Sequence, residues 1–118
     1  MSETAPTPPG ETYELCTYLP HEGKLEALLE RFRDHTVRLL ARHGIRSVGY
    51  WTTTAPGERC RLVYLLAHPS EQAARANWAA FGDDPEWQQA FEASMSEGRL
   101  VESMEKTFLT LTPFSPVP

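Results

Sequence analysis

Four histidines, two cysteines and a glutamate set among aromatic residues are the side chains of this chain whose types and spacing could do chemistry. His35 lies three residues after Phe32 and four before Leu39, so on a helix it faces or flanks the apolar stripe. An imidazole in that position is either a satisfied core residue or an acid–base group poised near neutral pH. Glu14 stands in Tyr13-Glu-Leu-Cys-Thr-Tyr18, a β-rich run in which it shares a side with Cys16 and Tyr18. If that side is covered, the carboxylate must be paired or raised in pKa. Tyr64 completes the candidate catalytic group of His35, Glu14 and Tyr64. Tyr18, Tyr50, Trp51, His68, Trp78, Phe81 and Trp87 would line a pocket for a small, largely apolar or aromatic molecule. The same aromatics at these spacings also suit a plain core.

Other chemistries lack their residues. No two histidines stand four apart on one helix face, His21 falls in a loop, and neither cysteine belongs to a CxxC pair. No metal site is therefore expected. A haem would need His35 or His68 as its axial ligand, and no Gly-rich phosphate loop occurs, so no cofactor is expected either. Cys16 and Cys60 fall in different predicted strands and read as reduced core thiols. His43 ends a helical run and reads as a helix C-terminal cap.

These side chains must be positioned by elements that the spacing predicts. Residues 1–11, rich in Pro, Thr and Glu, read as a disordered leader. A first strand covers 12–19 and stops at Pro20. From Glu22 to His43 the apolar residues Leu25, Leu28, Leu29, Phe32, Leu39 and Leu40 keep helical spacing, and Gly44 ends the run. A hairpin follows over 45–68, turning through Ala55-Pro56-Gly57-Glu58. Its second strand is apolar at successive positions, with Leu62, Tyr64 and Leu66 on one side and Val63, Leu65 and Ala67 on the other, so both faces should be buried. Ser70 starts a helix over 71–81 that places Ala74, Trp78 and Phe81 together. Asp84 caps another with Pro85 at its first position, carrying Trp87, Phe91 and Met95. A last strand covers 100–112, and the proline-punctuated tail can dock through Phe114.

With 118 residues the chain is one domain, here assigned to 12–116. A net charge of −5 provides no basic footprint for nucleic acid or anionic membrane surfaces. No apolar run approaches the roughly 20 residues of a membrane span, and no signal pattern precedes the domain, so a cytoplasmic address is expected by default.

The element order predicts an α+β, ferredoxin-like βαββαβ plan: a four-stranded antiparallel sheet with its helices on one face. Nothing in one chain covers the other face. A homodimer packed sheet to sheet into a dimeric α/β barrel would bury it.

Arg31-Phe-Arg-Asp-His-Thr36, the Arg42-His-Gly44 turn, Val48-Gly-Tyr-Trp51, Tyr64-Leu-Leu-Ala-His-Pro-Ser70, Ala80-Phe81, Asp84-Pro-Glu-Trp87 and Phe114-Ser-Pro116 together resemble the NIPSNAP family of dimeric α/β-barrel proteins, over about residues 12–116. The resemblance implies the same fold and dimer. Members are mostly of unassigned or non-catalytic role, while related dimeric barrels include cofactor-free monooxygenases, cyclases and isomerases. Where the family's first strand usually reads Tyr-Glu-Leu-Arg-x-Tyr, this chain has Cys16, so no arginine stands beside Glu14. Two functions fit: a cofactor-independent enzyme with its pocket between sheet and helices, or a non-catalytic binding or interaction module in which His35 is dispensable.

Overall fold

A computed structural model describes residues 11–116 of the chain. Strands β1 (Thr12–Pro20), β2 (Arg46–Thr52), β3 (Leu62–His68) and β4 (Val101–Leu109) form one antiparallel sheet in the order β2-β3-β1-β4. The helical segments are α1 (Leu25–Arg31), a π-helical turn (Phe32–Thr36), α2 (Val37–Arg42), α3 (Glu71–Asp83) and α4 (Pro85–Ser94). This is the α+β, ferredoxin-like arrangement that the element order predicts. The leader assigned to 1–11 lies outside the described residues except for Glu11, whose carboxylate accepts a hydrogen bond from Arg46 at 3.0 Å.

Strand alternation decides what the sheet buries. On β1 the even positions Glu14, Cys16 and Tyr18 are buried beneath the helices, as are Leu62, Tyr64, Leu66 and His68 on β3. The ladder aligns Tyr50, Tyr64, Cys16 and Lys106 in one helix-facing row and Ser47, Leu66, Glu14 and Phe108 in the next. Leu28, Phe32, Leu39, Leu40 and Phe81 close over these rows to form the core. The opposite, odd-numbered side of the sheet is open over much of its area: Leu15, Trp51 and Leu109 are exposed there and Val48 is exposed at the β2 bulge, while the paired Tyr13 and Ala67 are buried.

Caps set the helix ends. The Ser70 hydroxyl accepts from the Ala73 amide at 3.0 Å, which starts α3. Asp84 starts α4, with Oδ1 accepting from the Glu86 amide at 2.9 Å. Its Oδ2 accepts from His43 Nε2 at 2.7 Å and from Arg42 at 3.2 Å, so one carboxylate pins the end of α2 to the junction of α3 and α4. His43 thus sits at the helix end, as its spacing predicts, while Gly44 turns the chain out with φ of +80°.

Three details depart from the sequence reading. In the π turn the Val37 amide bonds to the Phe32 carbonyl, five residues back, and the Thr36 hydroxyl donates to the Arg31 carbonyl at 3.3 Å. The wider turn passes the inward position from His35 to Thr36, which is buried while His35 is half-exposed. Cys60 is not a core thiol, because β3 begins only at Leu62 and leaves Cys60 exposed in the loop before it. Phe114 does not dock; at 85% exposed it is the most solvent-facing of the large apolar side chains described.

Candidate functional site

Glu14 is the only carboxylate placed on the helix-facing side of the two central strands, and three elements converge on it. Its Oε1 lies 2.8 Å from Nε2 of His68, the last residue of β3, and accepts the indole N–H of Trp78 on α3, also at 2.8 Å. Glu14 and His68 are 3% and 1% exposed, so both heads are removed from water. The Lys106 ammonium of β4 caps the group, 3.6 Å from the centre of the Trp78 ring. Burial pushes the Glu14 carboxyl up, but the two hydrogen bonds and the charge of Lys106 outweigh it and hold the group below its ordinary value.

That ionisation fixes the histidine. An ionised carboxylate can only accept, so the hydrogen shared with His68 belongs to Nε2. In the neutral ring Nδ1 then carries the lone pair, and this buried nitrogen has no hydrogen-bond partner among the described residues. A carboxylate that orients an imidazole and leaves its second nitrogen basic is the arrangement of a general base, because the imidazolium formed by proton uptake is already paired. Phe108 lies beside the imidazole, ring centres 6.3 Å apart, and the Arg75 guanidinium lies over Phe108 at 5.5 Å.

Next to this pair, one row along the sheet, is an aromatic cluster packed into the core. Tyr50 stacks on Tyr64 with centres 5.2 Å apart, Phe32 meets Tyr18, Tyr50 and Tyr64 edge-on, and the Tyr64 hydroxyl donates to that of Tyr18 at 2.8 Å. Burial pushes the Tyr18 phenol up to about 12 and raises that of Tyr64 well above its ordinary value. Both are therefore neutral hydrogen-bonding groups near pH 7. Cys16, between them and Glu14, is pushed up to about 12 by burial and by the Glu14 charge, so it is an unreactive thiol.

The structure thus joins Glu14 to His68 and Trp78, and Tyr64 to Tyr18 and Tyr50. Phe81 and Trp87 pack on each other with centres 4.6 Å apart, and Trp78 meets Phe81 edge-on at 5.5 Å. Trp51 stands apart from all of these on the open side of the sheet, 55% exposed and lying across Gly49, where a Cβ would come within 2.7 Å of its ring. His35 lines a cleft between α1 and α4 together with Arg31 and Ser94. Sequence reasoning passed over Lys106, which lies opposite Cys16 in the ladder. Its charge acts on Glu14 from the neighbouring strand. The register of β4, which a single sequence does not reveal, is what brings it there.

Comparison with known proteins agrees with this architecture. The NIPSNAP family model matches residues 13–116. Among solved structures, a NIPSNAP family protein from Agrobacterium tumefaciens superposes with a TM-score of 0.78 at 22% identity, covering 92% of this chain and 99% of that one. An uncharacterized NIPSNAP domain protein from Burkholderia xenovorans gives 0.76 at 24% identity, covering 90% and 99%. SnoaB of Streptomyces nogalater, described as a cofactor-independent oxygenase, shares the fold more distantly, with a TM-score of 0.62 at 16% identity over 92% and 99%. Among curated proteins none matches.

Replacing Glu14 by Ala strands the buried His68 donor and the half-buried indole N–H of Trp78, so urea unfolding should show a loss of about 1–3 kcal/mol. The folded pKa of Glu14 lies below its ordinary 4.5, so its ionised form stabilises the protein above that value, and the contribution fades as pH falls through the folded pKa. Glu14→Gln should accordingly lose less stability than the wild type when both are titrated from neutral pH into acid.

Proposed function

The chain belongs to the NIPSNAP family, and on that footing we propose that it binds a small, largely aromatic molecule between sheet and helices and acts on it by acid–base chemistry without a cofactor. One observation carries this reading: Nε2 of His68 is held by the buried Glu14 carboxylate, while its buried Nδ1 has no hydrogen-bond partner among the described residues. His68 Nδ1 takes a proton from an acidic C–H or phenolic O–H of the substrate, and Glu14 holds the resulting imidazolium. Returning that proton at another carbon completes an isomerisation or cyclisation. With dioxygen as co-substrate, the deprotonated aromatic is the electron donor, as cofactor-free oxygenation requires. Tyr18, Tyr50 and Tyr64 supply the aromatic cluster and neutral hydroxyls that would orient a planar substrate. Phe108, half-buried at the surface beside His68, is the cover that the substrate displaces. The fold shared with SnoaB, whose description is of a cofactor-independent oxygenase, supports the class of chemistry and names no substrate.

The open side of the sheet supports a homodimer, and it is also what favours the second reading, a non-catalytic interaction module. A hollow of about 300 Å³ there is walled by Tyr13, Val48, Leu65, Leu109 and Leu111. Exposed Leu15 and Trp51 extend the apolar area along the same side. No helix is long and apolar enough to cross a membrane, and a cytoplasmic dimer is the form that we propose.

Two measurements test this. With a panel of hydroxylated aromatics, substrate loss and oxygen uptake should fall by about 10²-fold or more in His68→Ala, consistent with loss of a general base, and stay unchanged in His35→Ala. Full turnover in a folded His68→Ala protein would overturn the catalytic reading, and a wild type that binds members of the panel without converting any would favour the module. Light scattering should give a dimer for the wild type and a folded monomer for Leu65→Asp. A wild type that is monomeric at every concentration would remove the dimer.

A further inference from the structure

Arg31 is a buried cation without a counter-ion among the described residues. Its residue is 6% exposed, yet its one side-chain hydrogen bond among the described residues goes from Nη1 to the Ser94 hydroxyl at 3.1 Å. Its Nε–H is buried and has no acceptor among the described residues. The rest of its environment is aromatic: the guanidinium carbon lies 5.4 Å from the centre of the Trp87 ring and 5.0 Å from that of Phe91. Arene faces stabilise a cation but accept no conventional hydrogen bond from it. A guanidinium has five N–H donors, and burying them unpaired is costly, so such groups are ordinarily matched by a carboxylate or phosphate.

Arg31 and its partner Ser94 both line the cleft between α1 and α4, a space of about 330 Å³. Small-molecule sites begin at about this size, roughly 300 Å³. Lys24, whose ammonium donates to the Glu97 carbonyl at 2.9 Å, adds a second cation, and Ala27, Ala90, Ala93 and Leu100 make the cleft partly apolar. Three carboxylates, those of Glu30, Asp34 and Glu97, also border it. Asp34 and Glu30 are paired with the exposed Arg33, at 2.9 and 3.7 Å. With Arg33 included, the cations and carboxylates of this border balance, so Arg31 can meet one negative charge and no surplus of cations is left for a polyanion.

We propose that the α1–α4 cleft is a binding site for a small monocarboxylate with an apolar body, whose carboxylate is received by Arg31. The Nη end of the guanidinium, which meets Ser94 on the cleft wall, gives the carboxylate a charge-assisted hydrogen bond, and the alanines and Leu100 take the body. This site is separate from the Glu14–His68 pair and stands whether or not that pair is catalytic.

The test uses the full chain, with benzoate as probe, and benzamide and inorganic phosphate as controls, by titration calorimetry. Benzoate should bind saturably, with benzamide and phosphate at least about tenfold weaker, the factor that 1.4 kcal/mol represents. Arg31→Met removes the cation, and Ala93→Leu fills the cleft from an exposed position on α4 while leaving Arg31 in place. Each should weaken benzoate by about tenfold or more. Should Arg31→Met fail to fold, Ala93→Leu carries the result alone. Equal binding of benzamide and benzoate, benzoate affinity unchanged by Ala93→Leu, or no saturable benzoate binding up to about 10 mM, a dissociation constant weaker than any specific site here would have, would each overturn the proposal.

Discussion

A carboxylate on the buried side of a sheet must be compensated on the spot, and the compensation of Glu14 ties together most of the fold. β1 carries the charge, β3 brings His68, α3 brings Trp78, and β4 brings Lys106 over the indole. Each partner reaches Glu14 only if its own element is in register. His68 must end β3 on an even position, Trp78 must lie on the inward face of α3, and Lys106 must pair across from Cys16. A slip of one residue in any strand would turn its contributor to the open side and leave the charge buried and unmatched. The same group therefore specifies the register and supplies the one oriented imidazole in the interior.

The two cations under or beside the helices are treated differently, and the contrast is informative. Lys106 serves an ionised acid and keeps an exposed flank. Arg31 is nearly dry, its pKa lowered by burial, with only a hydroxyl and two rings for company. The first is a closed electrostatic arrangement, the second an open one. The π turn that follows Arg31 belongs to this region: it sends Thr36 inward onto the Arg31 carbonyl and turns His35 toward the cleft that Arg31 borders. Distortions of this kind are frequent at functional sites, since they spend regular helix geometry on aiming particular side chains.

Much of the fold was legible in the sequence because its signals are local. The alternation of Tyr13 to Leu19, the Ser70 cap, the Asp84-Pro85 start and the Gly44 stop each act within a few residues, and each reappears where its spacing places it. The apolar second strand of the hairpin pointed to a sheet with one side left open. Less of the site was legible. The aromatic neighbours of Glu14 marked it as a candidate without deciding whether its side was covered; its partners are 54 and 64 residues away, and choosing His68 over His35 requires the strand register. His35 was drawn inward by an assumption of regular helical spacing, which the one wide turn breaks. Nothing local to Arg31 announces that it is buried without an acid, since acidic residues flank it in sequence and turn elsewhere in space.

The account turns on the hydrogen shared between Glu14 and His68. Long-range ¹H–¹⁵N correlation of the histidine rings in the labelled protein reads that hydrogen directly. At a pH where the ring is neutral, His68 should show a single tautomer with Nε2 protonated and Nδ1 bare, and Glu14→Gln, which can donate as well as accept, should release that constraint. A His68 ring protonated on Nδ1, or one averaging between tautomers as a solvent-exposed imidazole does, would contradict the oriented base on which the site is built.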